Sequence, residues 1–336
     1  MKAAILRNLH EPIHLEETAP PVAGKGEAIV KIMAAALNHR DVWIQKGRYP
    51  GISLPVTPGS DGAGIVVEVG DRADESWIGK QVLINPAHNW GEIPAHYGPE
   101  FKILGLEDPG TFAEYVKIPV VYLHEIPSHL SFNQAAAIPL AGLTAWRCLT
   151  TRAVLKPQEK VLITGIGGGV ALFGLQFAVA LGAEVWVTSG SDDKIQKACE
   201  LGAKGGVNYK NTDWHRELLQ TIGAPRLGYF DVIVDSAGGD NFKSLIDVAA
   251  PGARICIYGG TTGNITDLLP AKIFFKQLNL LGSTMGTPKE FEEMIRFVEK
   301  CNLVPVIDSI RPIEEIGAGM DRMDKGEQFG KIVFTF

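Results

Sequence analysis

The pattern of apolar and polar positions changes character near residue 130. Before it, short β-rich runs at 28–32, 63–69, 81–84 and 112–116 are separated by Pro and Gly, and no long amphipathic helix interrupts them. That texture predicts a compact, loop-rich β domain over residues 1–125. After it, apolar runs at 160–164, 184–188, 205–209, 230–235, 253–258 and 278–282 alternate with helical patterns around 168–182, 192–201, 213–222 and 241–249. Strand and helix in turn imply a parallel sheet with helical crossovers. Six such strands predict a doubly wound nucleotide-binding domain over residues 126–286. The fold class is therefore α/β, a doubly wound parallel sheet joined to a β-rich domain.

Two local signatures sharpen the boundaries. Ser131-Phe132-Asn133-Gln134 reads as a capping box that opens the second half. Thr287-Pro288-Lys289-Glu290 gives an N-cap, an N1 proline and an N3 acid, with Phe291, Met294, Ile295 and Val298 following at helical spacing. Two final β-like runs, 304–310 and 331–336, are expected to return to the first domain, so that residues 287–336 complete it.

Composition removes several function classes. With 46 % hydrophobic and 21 % charged residues, the chain is an ordinary folded protein. A net charge of −6 without blocks of like sign offers no footprint for nucleic acid or an anionic membrane. Cys148, Cys199, Cys256 and Cys301 are too far apart for a disulfide framework or a metal knuckle, and read as core thiols of a reducing compartment. The N-terminus has no secretory apolar stretch, so a cytoplasmic location is expected. Residues 161–183 carry no charge and match a membrane span of about 20 residues in length. The glycines at 165, 167, 168 and 169 instead divide the run into a buried strand, a tight turn and a helix.

That turn is the strongest chemical signal. A strand entering a helix through Gly165, Gly167, Gly168 and Gly169, then Val170, lets the backbone approach a pyrophosphate and points a helix N-terminus at it. A turn needed only for close strand–helix packing is the plainer alternative. The second strand ends in Thr188-Ser189-Gly190-Ser191, where NAD binders place an acid on the ribose hydroxyl. The missing acid, with Lys194 nearby, favours NADPH; Asp192 and Asp193 keep NAD open.

These residues resemble the medium-chain dehydrogenase/reductase superfamily, in its zinc-independent, quinone-oxidoreductase-like branch. The resemblance rests on Ala36-Leu37-Asn38-His39-Arg40-Asp41, Pro58-Gly59-Ser60-Asp61-Gly62-Ala63-Gly64, Gly110-Thr111-Phe112-Ala113-Glu114-Tyr115, Leu140-Ala141-Gly142-Leu143-Thr144-Ala145 and the glycine turn. It implies a GroES-like catalytic domain built from both chain ends, a Rossmann domain between them, and an active site in the cleft. Zinc-dependent relatives bind the metal through a Cys, a His-Glu pair and a second Cys, positions that resemble Asn38, Ser60-Asp61 and Leu140 here. Neither catalytic nor structural zinc is expected, since residues 85–110 contain no cysteine either. His39, His88 and His96 are expected to be exposed or hydrogen-bonded rather than ligands.

Without a Lewis acid, alcohol–ketone exchange is disfavoured, and a quinone or an α,β-unsaturated carbonyl fits a bare hydride donor. The resemblance implies that Asn38 and Tyr49 line the pocket, that Trp43 replaces a tyrosine there, and that Asp61 orients its neighbours. Plainer roles are a turn cap for Asn38, packing beside Pro50 for Tyr49 and a tie in the 59–64 loop for Asp61. Thr144, Tyr209 and Lys331 resemble cofactor contacts; Tyr209 equally suits a half-buried strand end, and an ordinary solvated lysine is the plainer reading of Lys331. Ser236, Gly238, Gly259, Ser283 and Met285 lie at or after carboxyl strand ends, where doubly wound sheets bind ligands. Two other readings stand beside this one: an enoyl thioester reductase and an NADPH-binding redox sensor without turnover. Arg40, Lys46 and Arg48 could serve a thioester carrier but look ordinary for a surface loop. Similar proteins imply a homodimer or homotetramer meeting at the sixth strand, 278–282.

Overall fold

The computed structural model describes residues 1–224 and 227–336, and for Ala73 the backbone alone. The chain forms two compact units, Met1–Leu143 with Gly286–Phe336, and Thr144–Met285.

The first unit is built on a seven-stranded sheet. Its order is Ile307–Pro312, Lys331–Thr335, Glu27–Ala36, Asp61–Val69, Gln81–Ile84 and Leu123–Glu125, with Tyr115–Pro119 also paired to Glu27–Ala36. The C-terminal strand closes the unit, pairing Val333, Phe334 and Thr335 with Ala36, Ala35 and Ala34. Phe112 and Phe334 meet edge to face in its core, ring centroids 5.7 Å apart, a geometry that the ring quadrupoles favour.

Two boundaries differ from expectation. The capped helix Phe132–Ala136 belongs to the first unit, because it packs across Glu27–Ala36 and Asp61–Val69. The expected strand at 112–116 begins only at Tyr115. Phe112 is turned into the core by the Gly110-Thr111 segment, and its carbonyl accepts the Ala4 amide at 2.8 Å.

The second unit is a six-stranded parallel sheet in the order Gly205–Asn208, Glu184–Ser189, Lys160–Ile163, Phe230–Asp235, Ala249–Ile257, Asn279–Gly282. This is the doubly wound order, with the strand that carries the glycine turn at the centre. The uncharged run resolves into the strand Lys160–Ile163, a turn and the helix Gly169–Ala180, whose apolar side chains are buried against the sheet. Among the described residues no helix is long and apolar enough to cross a membrane. The helix Pro270–Lys276 was not expected from the sequence, and neither were His39–Gln45 and Ile316–Asp324 in the first unit. In Pro270–Lys276 the large apolar residues Ile273, Phe274 and Phe275 are consecutive and not spaced at i, i+3, i+4, so the sequence shows no helical period there. All four cysteines are free thiols, Cys148 and Cys256 buried and the other two half-buried.

Candidate active site

Strand register brings three distant residues of the first unit together. Ala36 pairs with Asp61 on one side and with Val333 on the other, so the chain emerging at Asn38 meets both Asp61 and Lys331. Asn38 is also the N-cap of the helix His39–Gln45. Its backbone N–H donates to Asp41 Oδ2 at 2.8 Å, leaving the side-chain amide to other partners. Lys331 Nζ donates to Asn38 Oδ1 at 2.6 Å and to Asp61 Oδ2 at 2.9 Å. Asn38 Nδ2 donates to the same Asp61 oxygen at 2.9 Å, and the Leu140 amide donates to Asp61 Oδ1 at 2.8 Å. Lys331 is 3 % exposed and Asp61 is 0 % exposed. The solvated-lysine reading of Lys331 is therefore corrected: its ammonium is buried in this cluster.

Beside it lies a second cation. Arg40, read from sequence as part of a surface loop, is buried; its Nη1 donates to Ser60 Oγ at 2.5 Å and to the Leu104 carbonyl at 2.9 Å. The Tyr49 ring covers its guanidinium, with Cζ 4.9 Å from the ring centroid, a cation–π contact. Burial pushes the neighbouring Asp41 carboxyl up to about 6, with the Arg40 charge pulling the other way. Trp43 is half-buried, its ring edge-on to His39 at 5.4 Å. The histidines have separate environments: His39 and His96 are exposed, and His88 is buried, stacked on Tyr122 at 4.0 Å.

All the expected cofactor contacts other than Lys331 lie in the second unit. Gly165 and Gly167 take φ of 65° and 124°, the region that favours glycine. A Cβ on Gly165 would lie 3.0 Å from Ser236 Oγ, while one on Gly168 would meet nothing closer than 4.0 Å, so the cradle is open at the start of the helix. The turn is tied to the next strand by the Ile166 amide, which donates to the Thr188 carbonyl at 2.8 Å. Ser189, Gly190 and Ser191 follow, and Tyr209 and Lys210 come down over Gly190. A Cβ there would be 2.9 Å from Tyr209 Oη and 3.1 Å from Lys210 Cε. Lys210 was not anticipated; only its place directly after Tyr209 pointed to it. Asp192 Oδ1 accepts from Asn208 Nδ2 at 3.0 Å, so this acid already has a protein partner.

At the neighbouring strand end, Thr164 Oγ1 donates to Asp235 Oδ1 at 2.6 Å, and the Gly238 amide donates to Asp235 Oδ2 at 2.8 Å. Gly259 lies so close that a Cβ would be 2.8 Å from the Ser236 carbonyl oxygen. The Ser283 amide donates to the Ile257 carbonyl at 2.9 Å, and Thr144 Oγ1 lies 3.9 Å from Met285 Sδ. Lys194 and Val170 lie in the first turns of their helices.

Two family models match the chain. The family model described as the alcohol dehydrogenase GroES-like domain matches residues 24–128, and that described as zinc-binding dehydrogenase matches residues 169–300. A protein of Leptosphaeria maculans named zinc-type alcohol dehydrogenase-like protein YogA is 36 % identical, covering 97 % of this chain and 95 % of its own length. The human quinone oxidoreductase is 26 % identical over 92 % of this chain and 89 % of its own. A crystal structure described as an NAD-dependent alcohol dehydrogenase superposes with a TM-score of 0.93 at 36 % identity, with both chains covered completely.

Proposed function

Since the chain belongs to the medium-chain dehydrogenase/reductase superfamily, we propose that this oxidoreductase uses NADPH to reduce a quinone or an α,β-unsaturated carbonyl without a catalytic zinc. The observation that carries the reading is the chemistry around Asp61. The positions resembling the zinc ligands of metal-dependent relatives hold an amide, a hydroxyl, a carboxylate and an isobutyl group, and the Lys331 ammonium stands 2.9 Å from the carboxylate. These donors do not fit a catalytic Zn²⁺, which takes thiolate and imidazole and would meet a fixed positive charge here.

The acceptor must then delocalise the incoming electron pair itself, as a quinone or enone does, needing only a hydrogen bond to its oxygen and a later proton. Bound NADPH supplies the hydride. Asn38 Nδ2 retains one N–H beyond the bond to Asp61 and donates it to the acceptor oxygen, while the Tyr49 hydroxyl or water returns the proton. Asp61, already engaged by three donors, orients the amide and does not react.

The glycine turn supports nucleotide binding. Ser189 and Ser191, with Tyr209 and Lys210 over Gly190, support the phosphorylated form, since no carboxylate of the 188–191 segment would repel a 2′-phosphate. We further assign the assembly to a homodimer or homotetramer in the cytoplasm. The sheet edge Asn279–Gly282 is paired on one side within the chain, and Leu280 and the neighbouring Phe274 and Phe275 are exposed.

Initial rates across a panel of quinones, enones and simple alcohols, with NADPH and NADH and with and without a chelator, test the reading. Chelator-insensitive NADPH oxidation by quinones or enones is expected. Turnover confined to alcohols and lost on chelation refutes it, and cofactor binding without turnover on any acceptor favours a sensor.

A further inference from the structure

We infer that Lys331 is a positioning residue that holds the Asn38 amide with its NH₂ group toward the acceptor; this rests on the reduction proposed above. An asparagine side chain is nearly symmetric in shape, yet its two ends do opposite chemistry: only Nδ2 donates a hydrogen bond to a developing oxyanion. The neighbours decide which end faces where. An ammonium has donors and no acceptor, so the amide atom 2.6 Å from Lys331 Nζ is the oxygen. An ionised carboxylate accepts and does not donate, so the atom 2.9 Å from Asp61 Oδ2 is the nitrogen. Both partners impose the same orientation, and Lys331 also fixes the carboxylate by its own 2.9 Å bond to that oxygen.

A flipped amide would set NH₂ against NH₃⁺ and a carbonyl against a carboxylate. In a cluster buried this deeply, both contacts are poorly screened. The ammonium on Oδ1 also draws electron density from the amide nitrogen, which strengthens the remaining N–H as a donor, as hydrogen bonds in series polarise one another. Lys331 thus fixes the Asn38 donor twice, directly through Oδ1 and indirectly by holding the Asp61 carboxylate that Nδ2 faces. The distance along the chain, 293 residues, shows why the role belongs to the folded sheet and not to a local motif.

The test uses the whole protein, labelled with ¹⁵N at asparagine, with the Asn38 side-chain signals assigned by their loss in Asn38→Asp. In the wild type, two well-separated Hδ resonances with slow solvent exchange are expected. In Lys331→Met, exchange should quicken by about tenfold or more, and kcat for the quinone should fall about 100-fold, the scale of losing one oriented oxyanion donor, with KM for NADPH unchanged. Lys331→Arg should recover most of the kcat. The double variant Asp61→Leu/Lys331→Met leaves no unpaired charge, so it remains folded, and should be as slow as Lys331→Met. An unchanged amide spectrum in Lys331→Met, or a double variant within twofold of wild-type kcat, overturns the inference. If the wild type reduces no quinone or enone, the proposed function falls, while the amide spectrum still decides what holds Asn38.

Discussion

His88 offers a quantitative test of the first unit. Its ring is stacked on Tyr122 with planes 12° apart, and its Nε2 lies 3.1 Å from the Asn85 carbonyl, so that nitrogen carries the proton it donates. Burial pulls the imidazole down to about 4, against a smaller upward pull from Asp108. Between about pH 4 and the ordinary histidine value near 6.5, the unfolded chain therefore binds a proton that the folded protein refuses. Stability is fully present above that window and is lost as pH falls through it. At about pH 5 the loss is about 1.5 × 1.36, or about 2 kcal/mol. Asp41 acts oppositely: raised to about 6, it takes up a proton in the folded state first, and acid relieves about 1 kcal/mol by pH 5. The wild-type profile is thus shallow, and substitution separates the two. His88→Gln should gain about 2 kcal/mol relative to wild type on going from about pH 7.5 to about pH 5, read from urea midpoints by fluorescence. A difference between the two proteins that stays constant over that range would refute the reasoning.

Other expectations are simpler. Thr287 Oγ1 accepts from the Glu290 amide at 3.1 Å and Glu290 Oε2 accepts from the Thr287 amide at 2.6 Å, so Thr287→Ala should cost about 1 kcal/mol in the same urea assay. Ser191→Asp keeps a residue suited to the N-cap but puts a carboxylate beside Gly190. It should weaken NADPH binding at least about tenfold, or about 1.4 kcal/mol, in calorimetric titration while leaving NADH nearly unaffected. Phe275 is 80 % exposed and Leu280 lies on the sheet edge; Leu280→Lys with Phe275→Asp should shift the assembly to monomers in sedimentation velocity.

What was legible in the sequence was what depends on nearby residues. Buried parallel strands such as Phe230–Asp235 read as apolar runs, the glycine turn announced itself by its spacing, and the Thr287 capping box fixed its helix to the residue. Contacts set by register were not legible. Lys331 looked like any lysine before an apolar strand, because its burial depends on Val333 facing Ala36 across the sheet. Arg40 was misread for a similar reason: Ser60, Leu104 and Tyr49, which bury it, all come from other segments. The domain boundary shifted by 18 residues, from 126 to Thr144, because a capping box marks where a helix starts and says nothing of which sheet it covers.

The Asp61–Lys331 pair poses a question of energetics that stability alone does not answer. Taking both charges out of water costs several kcal/mol each, and a buried pair recovers about that much, so apolar residues of similar size serve a fold equally well. Removing one partner is different, since it strands the other. Lys331→Met should therefore cost about 3–5 kcal/mol in urea unfolding, leaving Asp61 with the Asn38 and Leu140 donors but no counter-charge. Asp61→Leu/Lys331→Met should lose less than half as much, because no charge is left unpaired. Against that small net stability, the pair brings an amide donor into fixed orientation in a medium of low polarity, where orientation governs rate. A double variant as unstable as the single one would mean that the ion pair is a structural tie, and the catalytic account of Lys331 would lose its energetic basis.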